Sequence, residues 1–189
     1  MRSLILAFAV LTVLFALPAK AQQVRLVGTV EALDGRTVTV ATKEMGRQAV
    51  DLDANANVSK NVKKTLADIK PGDNVGVTSI KDKDGKHIAV EVRIFPSDRV
   101  PNLAQFPLEY APDNIMTNAA VAEVVKAADG SVLKVKFPNG ESDIVVGPTV
   151  PVLTSQPGSL DLLKPGAAVA VFATKGPDGK LTSRRVSVD

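Results

Sequence analysis

Residues 69–72 read Ile-Lys-Pro-Gly, and 94 positions later residues 163–166 read Leu-Lys-Pro-Gly. The same spacing relates Asp84-Gly85-Lys86 to Asp178-Gly179-Lys180. Proline and glycine after an apolar residue end a helix or open a turn, and Asp-Gly pairs are typical of hairpin turns. The recurrence of these turn-forming residues at one fixed spacing therefore indicates an internal repeat.

The repeat extends upstream with a single one-residue gap. Ala32-Leu33-Asp34-Gly35 corresponds to Ala127-Ala128-Asp129-Gly130 at a spacing of 95. Residues 24–95 thus align with residues 119–189 over most of the chain. Two unrelated β-rich stretches would not keep the register of their turns over such a length, so we expect two copies of one domain.

Each copy is predicted to form five strands with a short helix between the third and the fourth. In Asn61–Ile69 the apolar spacing changes to a helical one, and Pro71-Gly72 then ends the helix. The flanking segments alternate apolar and polar residues, as half-buried strands do. The strands expected in the first copy are Leu26–Ala32, Thr37–Thr42, Gln48–Leu52, Val75–Ile80 and Ile88–Ile94.

This order of elements is that of an OB-type barrel. The sequence also resembles a family of exported bacterial OB-like domains of unknown function. The resemblance rests on Gly28-Thr29-Val30, the Asp34-Gly35 turn, the Lys-Pro-Gly-Asp of residues 70–73 and Asp84-Gly85-Lys86. It implies an all-β protein made of two tandem five-stranded OB-like barrels, residues 22–95 and residues 119–189. It implies no activity.

Residues 1–21 are predicted to be a signal peptide. Arg2 precedes an apolar run, and Ala19-Lys20-Ala21 has the small-x-small form of a signal-peptidase site. The run is shorter than the roughly 20 residues that a membrane span needs. Cleavage after Ala21 would leave an exported chain, periplasmic or secreted, that starts at Gln22.

Removal of this leader changes the charge balance. Lys plus Arg falls from 23 to 21 against 20 Asp plus Glu, so the net charge drops from +3 to +1. A polyanionic partner is therefore not indicated by bulk charge. The sequence has no cysteine, which excludes a disulfide framework.

A proline-rich connector, residues 96–118, lies between the two copies. It contains Phe106 and Tyr110, the only tyrosine of the chain. Two interpretations remain open. These side chains, with Leu103 and Leu108, pack between the barrels, or they form an exposed binding strip. Phe172 is a third candidate, because it is out of phase with its apolar neighbours and should face away from its own core.

Nucleic-acid binding, metal binding and catalysis are not indicated. The second and third strands of the first copy lack the aromatic residues on which OB folds stack bases. His87 is the only histidine and is expected to be exposed, and Asp82-Lys83-Asp84-Gly85 lacks the later ligands of a calcium loop. No nucleophile has a base near it in any known motif. We expect no cofactor, no stoichiometric transition metal and no enzymatic activity.

Two functions remain. The first is an interaction module of the cell envelope that binds another protein. The alternative is a periplasmic carrier of a small ligand, such as a glycan, an ion or a small molecule. A carrier needs a concave pocket with converging polar groups, which a sequence does not reveal.

Overall fold

The computed structural model describes residues 22–127 and 130–189, and the predicted signal peptide lies outside the described residues. Within these two ranges the chain is built from strands, with two single 3₁₀ turns as its only helical elements, so the all-β prediction is confirmed. The strands are β1 Gln22–Asp34, β2 Thr37–Thr42, β3 Gly46–Lys64, β4 Asn74–Lys81, β5 His87–Ile94, β6 Ala104–Leu108, β7 Ala111–Ala127, β8 Gly130–Phe137, β9 Gly140–Val146, β10 Val152–Pro157, β11 Ala168–Lys175 and β12 Leu181–Val188. The 3₁₀ turns are Leu66–Asp68 and Leu160–Leu162.

A closed five-stranded barrel, named the terminal barrel, contains the first and the last strand. Its strands follow the cyclic order β1-β2-β3-β12-β11. The parallel pair β3–β12 closes it, from Leu181 opposite Val50 to Val188 opposite Lys60. Alternate residues of each strand face inward, as Val38 and Val40 of β2 show with 0% exposure.

A second set of five strands is named the central ring. Its strands are neighbours in the order β5-β4-β7-β8-β9. A short parallel pairing of β5 with β9 completes it, with His87 opposite Ile144 and Ile88 opposite Val145. Its core is separate from that of the terminal barrel. Leu163 and Ile69, which follow the two 3₁₀ turns, join the terminal and the central core respectively.

Strand pairing differs from the predicted tandem arrangement, in which residues 22–95 and residues 119–189 each close their own barrel. Strands β1, β2 and β3 pair with β11 and β12, whereas β4 and β5 pair with β7, β8 and β9. The two cores divide in the same way, since Leu26 packs in one cluster with Val186 and Val77 in the other with Leu133. The two halves of the chain therefore exchange their last two strands.

The length of β3 explains the exchange. This strand runs from Gly46 to Lys64, with a shift of register against β12 between Leu52 and Asn57, and is at most about 60 Å long at roughly 3.3 Å per residue. It pairs first with β2 and β12 and then, from Ser59 onward, with β10. The chain thus begins β4 too far from β1 to close the barrel that it started.

The predicted helix over Asn61–Ile69 is wrong. Asn61 to Lys64 belong to β3 and pair with β10, where Asn61 lies opposite Ser155. One 3₁₀ turn remains, at whose start the Asp68 carboxylate accepts hydrogen bonds from the N–H and the hydroxyl of Thr65, at 2.8 and 2.9 Å. Pairing with a distant strand has overridden the local helical spacing.

Candidate functional site

The connector is folded as a hairpin with the start of β7. β6 pairs antiparallel with β7, which places Phe106 opposite Met116. Pro107 fits here because β6 is an edge strand, paired with β7 alone among the described strands. Leu108 is buried, with 8% exposure, and the turn that follows carries Tyr110 to the terminal barrel.

A shallow apolar groove lies beside this hairpin and is named the Phe106 groove. Its volume is about 780 Å³. Phe106 is 42% exposed and Ile80 is 40% exposed, which is unusual for two large apolar side chains in one depression. The groove is lined by Ile80, Lys81, Gln105, Phe106, Pro107, Pro112, Asp113 and Ile115.

A second surface surrounds Phe172 on the terminal barrel and is named the arginine surface. Arg25 of β1 lies opposite Phe172 of β11, which in turn lies opposite Arg185 of β12. The guanidinium carbons of Arg185 and Arg25 are 3.8 and 5.7 Å from the centroid of the Phe172 ring. The Tyr110 ring meets the same ring edge-on, with centroids 6.5 Å apart. Phe172 is thus half-buried beneath two cations and one aromatic ring.

The arginine surface concentrates positive charge. Burial lowers the pKa of Arg185, and the charges of Arg99, Arg93 and Arg25 act in the same direction, against an opposing effect of Tyr110. Of these cations, Arg93 has a carboxylate partner, Glu91, at 3.2 Å. Within the described ranges no carboxylate lies within salt-bridge distance of Arg25, Arg99 or Arg185.

The structure brings two of the three predicted site residues together and separates the third. Tyr110 and Phe172 are in contact, so the connector does pack against the terminal barrel. Phe172 does face away from its own core, but Tyr110 and Arg185 cover it. Phe106 does not join them, and its exposure of 42% favours, for this residue, the second of the two interpretations, that of an exposed strip.

Sequence reasoning missed Ile80 in the groove and the two arginines beside Phe172. Ile80 could have been noticed, since it is an apolar residue at the exposed end of a predicted strand. Arg25 and Arg185 could not, because they become neighbours of Phe172 only through the pairing of β11 with β1 and β12.

His87 is half-buried rather than exposed. Its Nδ1 atom lies 3.1 Å from the Ser79 hydroxyl, and burial, followed by the nearby charge of Lys81, lowers its pKa. In the described part of the chain no three metal-ligating side chains lie together. The Asp82 carboxylate, the first of the calcium-like segment, instead accepts hydrogen bonds from the backbone N–H groups of Asp84 and Lys86, at 2.9 and 2.8 Å. That segment is a hairpin loop.

The outer face of β8 carries Lys134 and Lys136, while Phe137 packs partly against the central core. Lys134 is 3.1 Å from Glu123, and this partner raises the pKa of the lysine. Both lysines, together with Glu123, Glu141 and Asp143, line a second depression, separate from the Phe106 groove. The charges here are mixed, whereas a nucleic-acid groove is continuously positive.

A membrane-spanning helix is not found between residues 22 and 127 or between residues 130 and 189. Comparison with protein families gives one assignment. Residues 27–93 match the family model described as a domain of unknown function, DUF5666. The match runs from within β1 to within β5 and confirms the predicted resemblance to a domain family of unknown function. No curated protein matches the chain, and neither does any solved structure.

Proposed function

We propose that this protein is an exported, non-catalytic binding module of the cell envelope that holds an extended segment of a partner protein in the Phe106 groove. The observation that carries the proposal is the exposure of Phe106 and Ile80 within one apolar depression. Neighbouring exposed apolar side chains mark interaction sites, and aromatic residues are enriched in the cores of protein interfaces.

The shape of the groove favours an extended partner. The groove is shallow and borders β6, whose outer edge has no strand neighbour among the described residues. A peptide strand can pair with such an edge while its apolar side chains enter the depression. Lys81 and Asp113 stand in the lining with opposite charges, so the groove offers a polar contact to either charge of a partner.

The proposal includes a second copy of the matched domain in residues 119–189. The pairing register supports it. His87 lies opposite Ile144 and Leu181 lies opposite Val50, and the members of one pair are related to those of the other by the spacing of 94 seen in the sequence. Asn61 and Ser155, which share that spacing, lie opposite each other in the β3–β10 seam. The two copies would then be related by a pseudo-twofold axis through this pair.

Export rests on residues 1–21 alone. The small residues Ala19 and Ala21 after the apolar run support cleavage before Gln22. N-terminal sequencing of the protein recovered from outside the cytoplasm tests this point, and a chain that still begins at Met1 would contradict it.

A selection from a phage-displayed library of random twelve-residue peptides tests the binding proposal. We expect enrichment of peptides that contain alternating apolar residues and that bind the parent protein but not Phe106→Ser. Met45→Ser is the matched control, since Met45 is 45% exposed but lies outside the groove lining. No enrichment, or equal binding to both variants, would remove the groove from consideration.

The alternative function, a carrier of a small ligand, is favoured by a different observation. The arginine surface offers cations without carboxylate partners, as a site for a small anion would. This surface is lined by residues other than those of the Phe106 groove.

A further inference from the structure

The arginine surface is built so that its cations are held in place without being neutralised. Phe172 lies between Arg25 and Arg185 in the cross-strand row, and the Arg185 guanidinium is stacked at 3.8 Å from its ring centroid. Stacking fixes the plane of a guanidinium while leaving its N–H groups at the edge available. The rest of the cluster does not supply a carboxylate within 4.0 Å of either arginine, as far as the described residues go.

A third cation is added from the connector. Arg99 lies over the Phe95 ring, with its guanidinium carbon 5.7 Å from the centroid, and its charge acts on Arg185. Two acidic side chains near Arg93 are engaged. Glu91 pairs with Arg93, and the Asp189 carboxylate accepts a hydrogen bond from the Asn61 amide, whose oxygen accepts one from Arg93. Since the charges of Arg99, Arg93 and Arg25 all act against the charge of Arg185, a bound anion would offset this repulsion.

We propose that the arginine surface is a binding site for a phosphate group, carried by a small molecule or by a lipid headgroup. A phosphate monoester has a charge of about −1.5 to −2 and three acceptor oxygens, so it can engage several guanidinium groups at once. Arginine clusters are a recurrent means of phosphate recognition. The Tyr110 ring, which packs edge-on against Phe172, borders the site and offers an apolar surface to the part of the ligand that carries the phosphate.

Isothermal titration calorimetry of the mature protein with inorganic pyrophosphate, at low salt, tests the site. We expect saturable binding that weakens by about tenfold in Arg185→Gln, since hydrogen bonds to charged groups are the strong ones. Arg184→Gln is the matched control. It removes the same charge from the adjacent position of β12, where Arg184 lies 3.3 Å from Asp53, and should change the affinity less than about twofold.

Arg25→Gln provides a second test if the stacked Arg185 is needed for folding, because Arg25 is exposed and 5.7 Å from the ring. A loss of affinity in this variant supports the site. Phosphatidylglycerol vesicles, with phosphatidylcholine vesicles as the reference, identify the source. Binding of pyrophosphate alone indicates a soluble ligand, and selective binding of the anionic vesicles indicates a headgroup.

The proposal is overturned if the parent binds neither probe, or if Arg184→Gln weakens binding as much as Arg185→Gln and Arg25→Gln do. Equal effects would show a nonspecific response to net charge. Phe106→Ser should leave pyrophosphate binding unchanged, so the phosphate site and the Phe106 groove can fail separately.

Discussion

Gly28 shows how a single residue of the family motif acts through packing. The strand backbone at Gly28 runs so close to β2 that a Cβ atom would lie 2.1 Å from the Ala41 carbonyl oxygen. Gly28 belongs to Gly28-Thr29-Val30, one of the segments on which the family resemblance rests. The sequence alone does not show why a glycine is needed there, because the close approach depends on the pairing of β1 with β2. The motif therefore concerns the shape of the barrel.

We expect Gly28→Ala to lower the free energy of unfolding by about 1–3 kcal/mol, the usual cost of overpacking. Urea denaturation measures it. The control is Gly147→Ala, because the nearest atom to a Cβ there is a methyl group of Val150 at 3.8 Å. Equal stability of the two variants would mean that β1 and β2 can separate without cost.

His87 gives the protein a pH dependence near neutrality. Since burial lowers the pKa of His87 in the folded state, the unfolded chain binds more protons below its ordinary pKa of about 6.5. The free energy of unfolding should therefore fall as the pH decreases through that value, and stay lower beneath the folded-state pKa. The chain has no other histidine.

The difference between urea unfolding at about pH 7.5 and about pH 5.5 should be smaller in His87→Gln than in the parent. Glutamine keeps a polar group toward Ser79 but does not titrate in this range. If parent and variant lose the same stability on acidification, the proton is taken up by other groups.

At the scale of elements, the sequence predicted strands well and their partners poorly. The predicted Thr37–Thr42 coincides with β2, and the predicted Ile88–Ile94 falls one residue short of β5. Alternation of apolar residues fixes which side chains face inward, and this is a local property.

The predicted third strand ends at Leu52. The Asp-Ala-Asn-Ala-Asn run of residues 53–57, which follows, has low β propensity. The strand nevertheless continues beyond this run, because pairing with β12 resumes at Asn57 after a shift of register and pairing with β10 begins at Ser59.

The connector hairpin yields a prediction that separates its two aromatic residues. Tyr110→Ala removes an edge-to-face contact with Phe172 and should lower the free energy of unfolding by about 0.5–1.5 kcal/mol beyond the lost burial. Phe106→Ala should stay within about 0.5 kcal/mol of the parent, since Phe106 is substantially exposed. Thermal or chemical denaturation of both variants measures the contrast. Equal destabilisation would place both residues in one buried contact, in agreement with the first of the two interpretations of the connector sequence.

At the scale of the whole molecule, each half of the chain completes a core that the other half begins. Domains of about seventy residues are marginal when they lack disulfides and metals. Exchange of β4–β5 against β11–β12 joins the two halves of the chain into one network of twelve strands. One interpretation of the sequence has connector side chains packed between the two barrels. In the structure the pairing of strands joins the two halves, and a local sequence pattern does not determine with which of two similar strands a third one pairs.

Cleavage of the folded chain in the connector tests this exchange directly. A protease site inserted between Ser97 and Asp98, which are exposed, leaves β1–β5 in one fragment and β6–β12 in the other. We expect the two fragments to elute as one complex, because each core contains strands of both.

After separation in urea, neither fragment alone should refold to a monomeric barrel with the circular dichroism signal of the parent. Remixing the fragments should restore that signal, with a single thermal transition. In a tandem arrangement each fragment would instead close its own barrel, so a first fragment that refolds alone as a stable monomer would contradict the exchange. The parent with the site left uncleaved controls for the insertion itself.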